Sequence, residues 1–207
     1  MKKFLISIVA AVLTMPVFAQ TNSGGFSVSE STLYYGLRLG LNVSTLTGDI
    51  EDAGSKAGFN FGGVVGVRLT DATPLYLESG LYFRQFGSKK DKNEVNLNYL
   101  ELPILIKYGF QVTDEISVLP YLGPSFSLGL GGKIKEEGVG SYASFKSGRY
   151  SRPDVGMRIG CGAEYNMIYL EMGYQFGIAN IADWKENATD DATVHNGAFF
   201  VNVGVNF

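Results

Sequence analysis

The sequence contains very little cysteine, and after its first residues it contains no long hydrophobic run. Cys161 is the only cysteine, so the chain cannot form an internal disulfide and has no cysteine spacing for zinc or an iron–sulfur cluster. A transmembrane helix needs about 20 apolar residues, and no stretch beyond the N-terminal leader reaches that length. A membrane protein built from helices is therefore excluded.

Charge is also scarce. Charged residues make up 18% of the chain, whereas a soluble domain carries roughly 25%. The formal net charge is −3, and no basic patch is visible, so we expect no nucleic-acid partner. The sequence has no Gly-x-Ser-x-Gly elbow, Walker loop or histidine-rich cluster. We therefore predict no metal, no cofactor and no enzymatic activity.

Glycine, tyrosine and phenylalanine are abundant instead. The chain has 27 glycines, and 13% of its residues are aromatic. Glycine-lined strands with repeating aromatics are typical of closed all-β architectures. At the N-terminus, two lysines precede a short apolar run, and Val17-Phe18-Ala19 fits a signal-peptidase site. We predict a signal peptide over residues 1–19, a short periplasmic segment over 20–32 and a β-barrel domain over 33–207.

The barrel prediction depends on alternation with period two. In the last segment Phe199, Val201, Val203 and Val205 share one face with the terminal Phe207, while small and polar residues occupy the other. Transmembrane barrels show this pattern because lipid-facing and lumen-facing residues alternate. The scheme recurs in eight segments: 33–43, 59–70, 75–84, 95–108, 116–131, 154–164, 168–177 and 199–207. We therefore predict an eight-stranded antiparallel up-and-down transmembrane β-barrel.

The lengths of the connections support the barrel prediction, and the prolines add an expectation about strand irregularities. Tight connections near 71–74, 112–115 and Asn166 alternate with longer ones at 45–57, 87–94, 135–149 and 180–195, as in barrels with short periplasmic turns and long extracellular loops. Pro103, Pro120 and Pro124 fall inside proposed strands. Because proline cannot donate to a strand ladder, we predict β-bulges near these positions.

The charged residues of the strands lie on the glycine-rich face, which we assign to the lumen. They form a candidate network of Arg38, Arg68, Glu78, Arg84, Glu101, Lys107, Asp154, Arg158, Glu164 and Glu171. An eight-stranded barrel is just wide enough for side chains to fill, so these charges are expected to pair and plug it. Two alternatives remain: a narrow polar conduit, and a soluble lipocalin-like barrel with the two faces exchanged.

One strand resembles a known group. The segment Tyr99-Leu100-Glu101-Leu102-Pro103-Ile104-Leu105-Ile106-Lys107-Tyr108 is similar to a characteristic strand of the PorT-like outer-membrane barrel family. Pro120–Pro124 and Gly173–Gly177 resemble later strands of that family. The resemblance implies an eight-stranded barrel in a Gram-negative outer membrane. It implies no biochemical activity, although the founding member is associated with a protein secretion system.

The functional candidates lie at the barrel's ends. Loops on a rigid scaffold tend to carry binding, and the candidate contacts for an extracellular protein or glycan are Tyr142, Phe145, Arg149 and Trp184. The terminal Phe207 resembles the signal that the barrel assembly machinery reads. Outer-membrane lipids are the remaining expected partners. Alternatives are a secretion-system component, or a rim enzyme using His195 with Asp190, Asp191 or Thr193.

Overall fold

A computed structural model describes residues 33–48, 54–70, 72–138, 140–145, 150–182 and 193–207. The predicted signal peptide (1–19) and periplasmic segment (20–32) lie outside these residues. In the described part of the chain, no helix is long and apolar enough to cross a membrane.

Alternating sequence segments form long antiparallel strands. Within the described residues the strands are β1 (Leu33–Gly48), β2 (Lys56–Arg68), β3 (Leu75–Lys90), β4 (Asn93–Tyr108), β5 (Phe110–Gln111), β6 (Ile116–Glu136), β7 (Gly140–Ala143), β8 (Pro153–Tyr165), β9 (Ile168–Gly177) and β10 (Val194–Asn206). Several of them are longer than the 9–11 residues that a membrane crossing requires. They are therefore longer than a bilayer crossing alone would need.

The sheet closes on itself. Its order is β4-β3-β2-β1-β10-β9-β8-β6, and β4 also pairs with β6. This last pairing joins the two ends of the sheet, so every long strand has two neighbours and no long edge is left open. The short strands β5 and β7 are additions that pair with the two ends of β6. The predicted eight-stranded antiparallel barrel is confirmed.

The two ends of the barrel differ. The turn end carries the β2–β3, β4–β6 and β8–β9 connections, together with the start of β1 and the end of β10. There the backbone amide of Phe207 donates to the carbonyl of Tyr35 at 2.8 Å, and the turn after β8 has Asn166 at a φ of 53°. The opposite, loop end carries the longer connections.

One predicted loop proved to be strand. Residues 87–94 were expected to form a long loop, but Lys90 pairs with Asn93 across a two-residue turn. Asp91 there adopts a φ of 50°, a left-handed conformation that aspartate tolerates. The β3–β4 hairpin therefore projects at the loop end as regular sheet, with the end of β6 paired beside it.

The outer surface of the barrel is apolar and its interior is polar. On β1, Leu37 and Leu41 are 60% and 71% exposed, whereas the alternating Arg38 and Asn42 are 2% and 1% exposed. The outward leucine, isoleucine, valine and phenylalanine side chains of the eight long strands form a continuous belt, called here the apolar band. The arrangement matches the lipid-facing belt of an outer-membrane barrel.

The prolines do not cause bulges. Pro120 and Pro124 pair with β8 in unbroken register. On the other side of β6, Gly123 and Pro124 have no paired residue on β4, but the register is the same before and after this gap. The carbonyl of Pro103 accepts a hydrogen bond from the Ser79 hydroxyl at 2.8 Å. In the β4–β6 pairing the register shifts only between Asn98 and Tyr99. The predicted bulges at these prolines are therefore wrong, because the ladder tolerates a missing bond without shifting.

Candidate functional site

Near the turn end, the lumen is organised around the carboxylate of Glu78. Its Oε2 lies 2.8 Å from Lys107 Nζ and 3.7 Å from Arg38 Nη2, and the Tyr34 hydroxyl donates to it at 2.7 Å. The four side chains come from three strands, because Tyr34 and Arg38 both belong to β1. Charge-assisted hydrogen bonds of this kind are stronger than neutral ones, so Glu78 ties β1, β3 and β4 together from inside.

A second group of charges fills the lumen further toward the loop end. Glu101 lies 3.1 Å from Arg84 Nε and 3.2 Å from Arg158 Nη1. Arg158 Nη2 is also 3.8 Å from Glu171, whose Oε1 accepts a 2.6 Å hydrogen bond from Asn202. The lumen therefore contains a branched network rather than isolated pairs.

Aromatic rings complete the packing between these cations. The Phe200 ring has the guanidinium carbons of Arg84 and Arg158 at 4.7 Å and 4.5 Å from its centroid. The Tyr169 ring likewise has Arg38 at 4.0 Å and Lys107 Nζ at 4.7 Å. All four distances fall within the range of cation–π attraction. The rings lie between like charges in the lumen.

Two further carboxylates are held by amides. Asn196 donates to Asp154 at 2.7 Å, and Asn206 donates to Glu164 at 2.8 Å. Both carboxylates are buried. Asp154 lies toward the loop end of β8 and Glu164 toward its turn end, so they mark the two limits of the polar interior.

Arg68 departs from the prediction for the lumen network. It is the last residue of β2, at the turn end, and it is only partly buried. Its Nε donates to the carbonyl of Thr70 at 2.9 Å. The alternation of β2 places Arg68 on the inward face, but its position at the strand end puts it at the rim. The other predicted lumen charges are all buried.

At the loop end, the polar interior gives way to an apolar cluster, called here the cap. Its buried members among the described residues are Leu46, Phe86, Leu97, Tyr99, Ile134, Tyr150, Ile181, Val194 and Ala198. The cap members come from extended strands and from the connections after β7 and β9. Sequence alternation assigns single members to the inward face, but it gives no sign that they converge.

The predicted loop contacts lie partly inside this cap. Phe145 packs edge-on against Tyr99 with ring centroids 5.6 Å apart, and Tyr142 packs against the cluster while donating to Glu136 at 2.6 Å. Their rings are therefore turned inward rather than presented to a partner. Arg149 and Trp184 lie outside the described residues.

His195 was expected in the loop over residues 180–195, but it belongs to β10. Its Nδ1 lies 3.0 Å from the carbonyl oxygen of Ala179, and its own carbonyl accepts from the Thr47 hydroxyl. Thr193 is exposed, while Asp190 and Asp191 lie outside the described residues. Among the residues that the structure describes, no group of three or more metal-ligating side chains converges.

Comparison with known proteins agrees with this architecture. The model of the outer membrane protein beta-barrel domain family matches residues 18–183. It does not single out the PorT-like group. No curated protein sequence matches the chain.

Solved structures with similar folds are small outer-membrane barrels. Neisserial surface protein A has a TM-score of 0.51 and 18% identity, over 86% of this chain and 98% of its own. Ail of Yersinia pestis has a TM-score of 0.47 and 13% identity, over 86% and 100%. OprG of Pseudomonas aeruginosa has a TM-score of 0.46 and 12% identity, over 88% and 99%. The chain belongs to the outer membrane protein beta-barrel domain family and is an outer-membrane β-barrel protein.

Proposed function

We propose that this protein is a sealed outer-membrane scaffold that presents its loop end to extracellular partners. The observation that carries the proposal is the filled lumen. Arg158 and Lys107 are fully buried within the charge network, and the apolar cap lies above it. Side chains thus fill the interior from one end to the other, as expected for a barrel of eight strands.

The orientation is part of the proposal. Short turns face the periplasm in barrels of this kind and longer loops face outward, so the turn end is periplasmic and the loop end extracellular. Residues 1–19 act as the export signal, Phe207 as the assembly signal and the apolar band as the contact with membrane lipids. The finer affiliation with PorT-like barrels of Gram-negative bacteria rests on the strand Tyr99–Tyr108.

The loop end offers a surface suited to partners. The projecting β3–β4 hairpin carries Lys89 and Lys90, and the neighbouring end of β6 carries Lys133 and Lys135, all of them exposed. Lys92 at the hairpin tip is paired with Glu137 and is not part of this face. The ammonium groups of the face suit an extracellular protein or glycan with acidic groups. The partner surface proposed here is therefore the extended sheet, with the residues around Trp184 as a second contact.

A non-catalytic role fits the surroundings of His195. A rim enzyme would use this histidine as its general acid or base through Nε2, with a carboxylate bonded to Nδ1, whereas the group bonded to Nδ1 is the backbone carbonyl of Ala179 at 3.0 Å. A secretion-system role depends on the analogy with the founding PorT-like member, and no described contact favours it. We therefore propose a scaffold and binding protein rather than an enzyme.

Single-channel recording in planar lipid bilayers tests the sealed scaffold. The protein is first refolded, and its closed barrel is verified by a band that shifts on boiling in SDS gel electrophoresis. We expect no stepwise current from this material, because the described side chains of the network and the cap are buried within the lumen. Reproducible conductance steps from heat-shifting protein would overturn the proposal in favour of a conduit.

A further inference from the structure

A polar recess opens on the outer surface of the projecting sheet. It has a volume of about 260 Å³ and is lined by Gln85, Asn96, Asn98, Gly132 and Lys133. These residues lie on β3, β4 and β6, so regular strands rather than loops build the recess. None of the lumen charges contributes to it.

The recess lies directly above the apolar band. On β4 the outward positions change from apolar side chains, ending at Leu100, to Asn98, Asn96 and Glu94. Gln85 pairs with Asn98, and Phe83 pairs with Leu100 one step below. The hydrocarbon core of a bilayer is about 30 Å thick and its headgroup regions extend it to roughly 40–45 Å. The recess therefore faces the headgroup layer.

An aromatic cluster supports this placement. Phe59, Phe61 and Phe83 lie together on the outward face of β2 and β3, with Phe83 at ring-centroid distances of 5.6 Å and 5.4 Å from the other two. Aromatic girdles mark the boundary between lipid chains and headgroups in outer-membrane barrels. A lipid whose acyl chains contact this cluster would place its headgroup beside the recess.

The side chains of the recess suit a phosphorylated sugar. The carboxamides of Gln85 and Asn98 offer both donors and acceptors for hydroxyl groups. Asn96 offers its Oδ1 as an acceptor, while its Nδ2 donates to Glu94 at 3.3 Å. The Lys133 ammonium offers a compact positive charge for phosphate. Within the described part of the chain, Lys133 makes no ion pair. The neighbouring lysines do make ion pairs. Lys56 Nζ lies 2.9 Å and Lys135 Nζ lies 3.3 Å from the carboxylate oxygens of Glu94.

Glycine keeps the space beside the recess open. Gly131 pairs with Asn98, which is outward-facing, and a Cβ added at Gly131 would have no heavy atom within 4 Å. A larger side chain there would project over the recess without displacing the barrel. This position therefore allows the recess to be filled without changing its charge.

We propose that the recess binds the phosphorylated sugar headgroup of a glycolipid in the outer leaflet. The Lys133 ammonium contacts the phosphate, and the carboxamides of Gln85, Asn96 and Asn98 bond the sugar hydroxyls. The acyl chains lie against the apolar band below. The inference rests on the orientation given under the proposed function, and it adds a lipid partner and a defined site to it.

Native mass spectrometry of the detergent-solubilised protein tests this site. The probe is deep-rough lipopolysaccharide, whose headgroup is a phosphorylated sugar, and the comparison lipids are its dephosphorylated form and phosphatidylglycerol. We expect wild-type protein to retain the phosphorylated glycolipid preferentially. Loss of a charge-assisted hydrogen bond in Lys133→Ala should weaken retention roughly tenfold. Lys92→Ala, which removes an exposed lysine at the hairpin tip, should leave retention unchanged.

A second variant tests the recess by shape. Gly131→Phe retains every charge, and we expect it to reduce retention of the phosphorylated glycolipid to the level of Lys133→Ala. Equal retention by wild type, Lys133→Ala and Gly131→Phe would overturn the proposal. So would an equal loss in Lys92→Ala, which would indicate attraction to exposed lysines in general. Equal binding of the dephosphorylated lipid would also contradict it. Binding of the soluble phosphorylated sugar as tight as that of the glycolipid would contradict the proposed contact of the acyl chains with the apolar band.

These results are separable from the test of the sealed scaffold. Every variant is first checked for the heat-dependent gel shift and for the absence of conductance. A non-conducting, heat-shifting protein that fails to retain the glycolipid overturns only the lipid site. Protein that conducts overturns the sealed scaffold whatever its lipid binding.

Discussion

The guanidinium of Arg158 donates a hydrogen bond of 3.2 Å to the carboxylate of Glu101, and both side chains are completely buried. Arg158 lies on β8 and Glu101 on β4, and β6 separates these strands in the sheet. The contact therefore bridges the inner surface across one strand. Charges so fully enclosed are favourable only while each keeps its partners.

Removing Glu101 should therefore lower the stability of the barrel by more than the loss of one ion pair would. Glu101→Leu leaves both Arg158 and Arg84 without this carboxylate, and breaking a buried pair from one side costs about 3–5 kcal/mol. The double variant Glu101→Leu/Arg158→Met removes one of the two stranded cations and should be more stable than the single variant. Urea unfolding in lipid vesicles, followed by the gel shift, measures both. A double variant that is the less stable one would contradict the network.

Glycine in the lumen should be required where an aromatic ring lies against it. A Cβ at Gly66 would overlap the ring of Tyr34, which donates its hydroxyl to Glu78. We expect Gly66→Ala to destabilise the barrel by about 1–3 kcal/mol, the usual range for overpacking.

The matched control for this substitution is Gly131→Ala, whose added Cβ meets no heavy atom within 4 Å. Its free energy of unfolding should remain that of the wild type. Equal stability of the Gly66 and Gly131 variants in urea would show that the Tyr34 ring is not fixed as described.

The pH dependence of the extracellular sheet should centre on Glu94. Hydrogen bonds from Lys56 and then Asn96 lower the pKa of this carboxyl from 4.5 to about 2. A carboxyl whose folded pKa is depressed stabilises the folded state above its unfolded pKa and loses that contribution as pH falls through the folded value. The Glu94 contribution should therefore be complete above about pH 4.5 and disappear toward pH 2.

Carboxyl NMR titration of the folded protein measures this directly. Lys56→Met should raise the pKa of Glu94 toward its ordinary value, whereas Lys92→Met, at the hairpin tip, should not change it. Titration of Glu94 near pH 4.5 in the wild type would contradict the ion-paired arrangement.

The fold was largely predictable because period-two alternation is a local property. Each strand shows its two faces within its own residues, and β1 illustrates this with outward Leu37 and inward Arg38. Strand ends were less predictable. Residues 87–94 are polar on their outward face, and polar sequence is typical of loops, yet the pairing of β3 with β4 holds them as sheet.

The interior pairing and the cap could not be predicted in the same way. Alternation predicts that the Glu101 side chain faces inward. Its contact with Arg158, however, depends on the stagger between strands that are far apart in sequence. Phe145 was expected to face a partner because an aromatic residue among glycine and serine suggests exposure. It packs against Tyr99 instead, and only the closed geometry of the loop end provides that apolar surface.

The most direct test of the account asks which face meets lipid. In a Trp184→Phe background, a single tryptophan is placed at Leu170, which is 53% exposed, or at its neighbour Tyr169, which is 1% exposed. Both variants are reconstituted in vesicles of brominated lipid after the gel shift verifies a closed barrel. The account predicts strong quenching of tryptophan at 170 and little at 169. Quenching at 169 and not at 170 would reverse the two faces and contradict it.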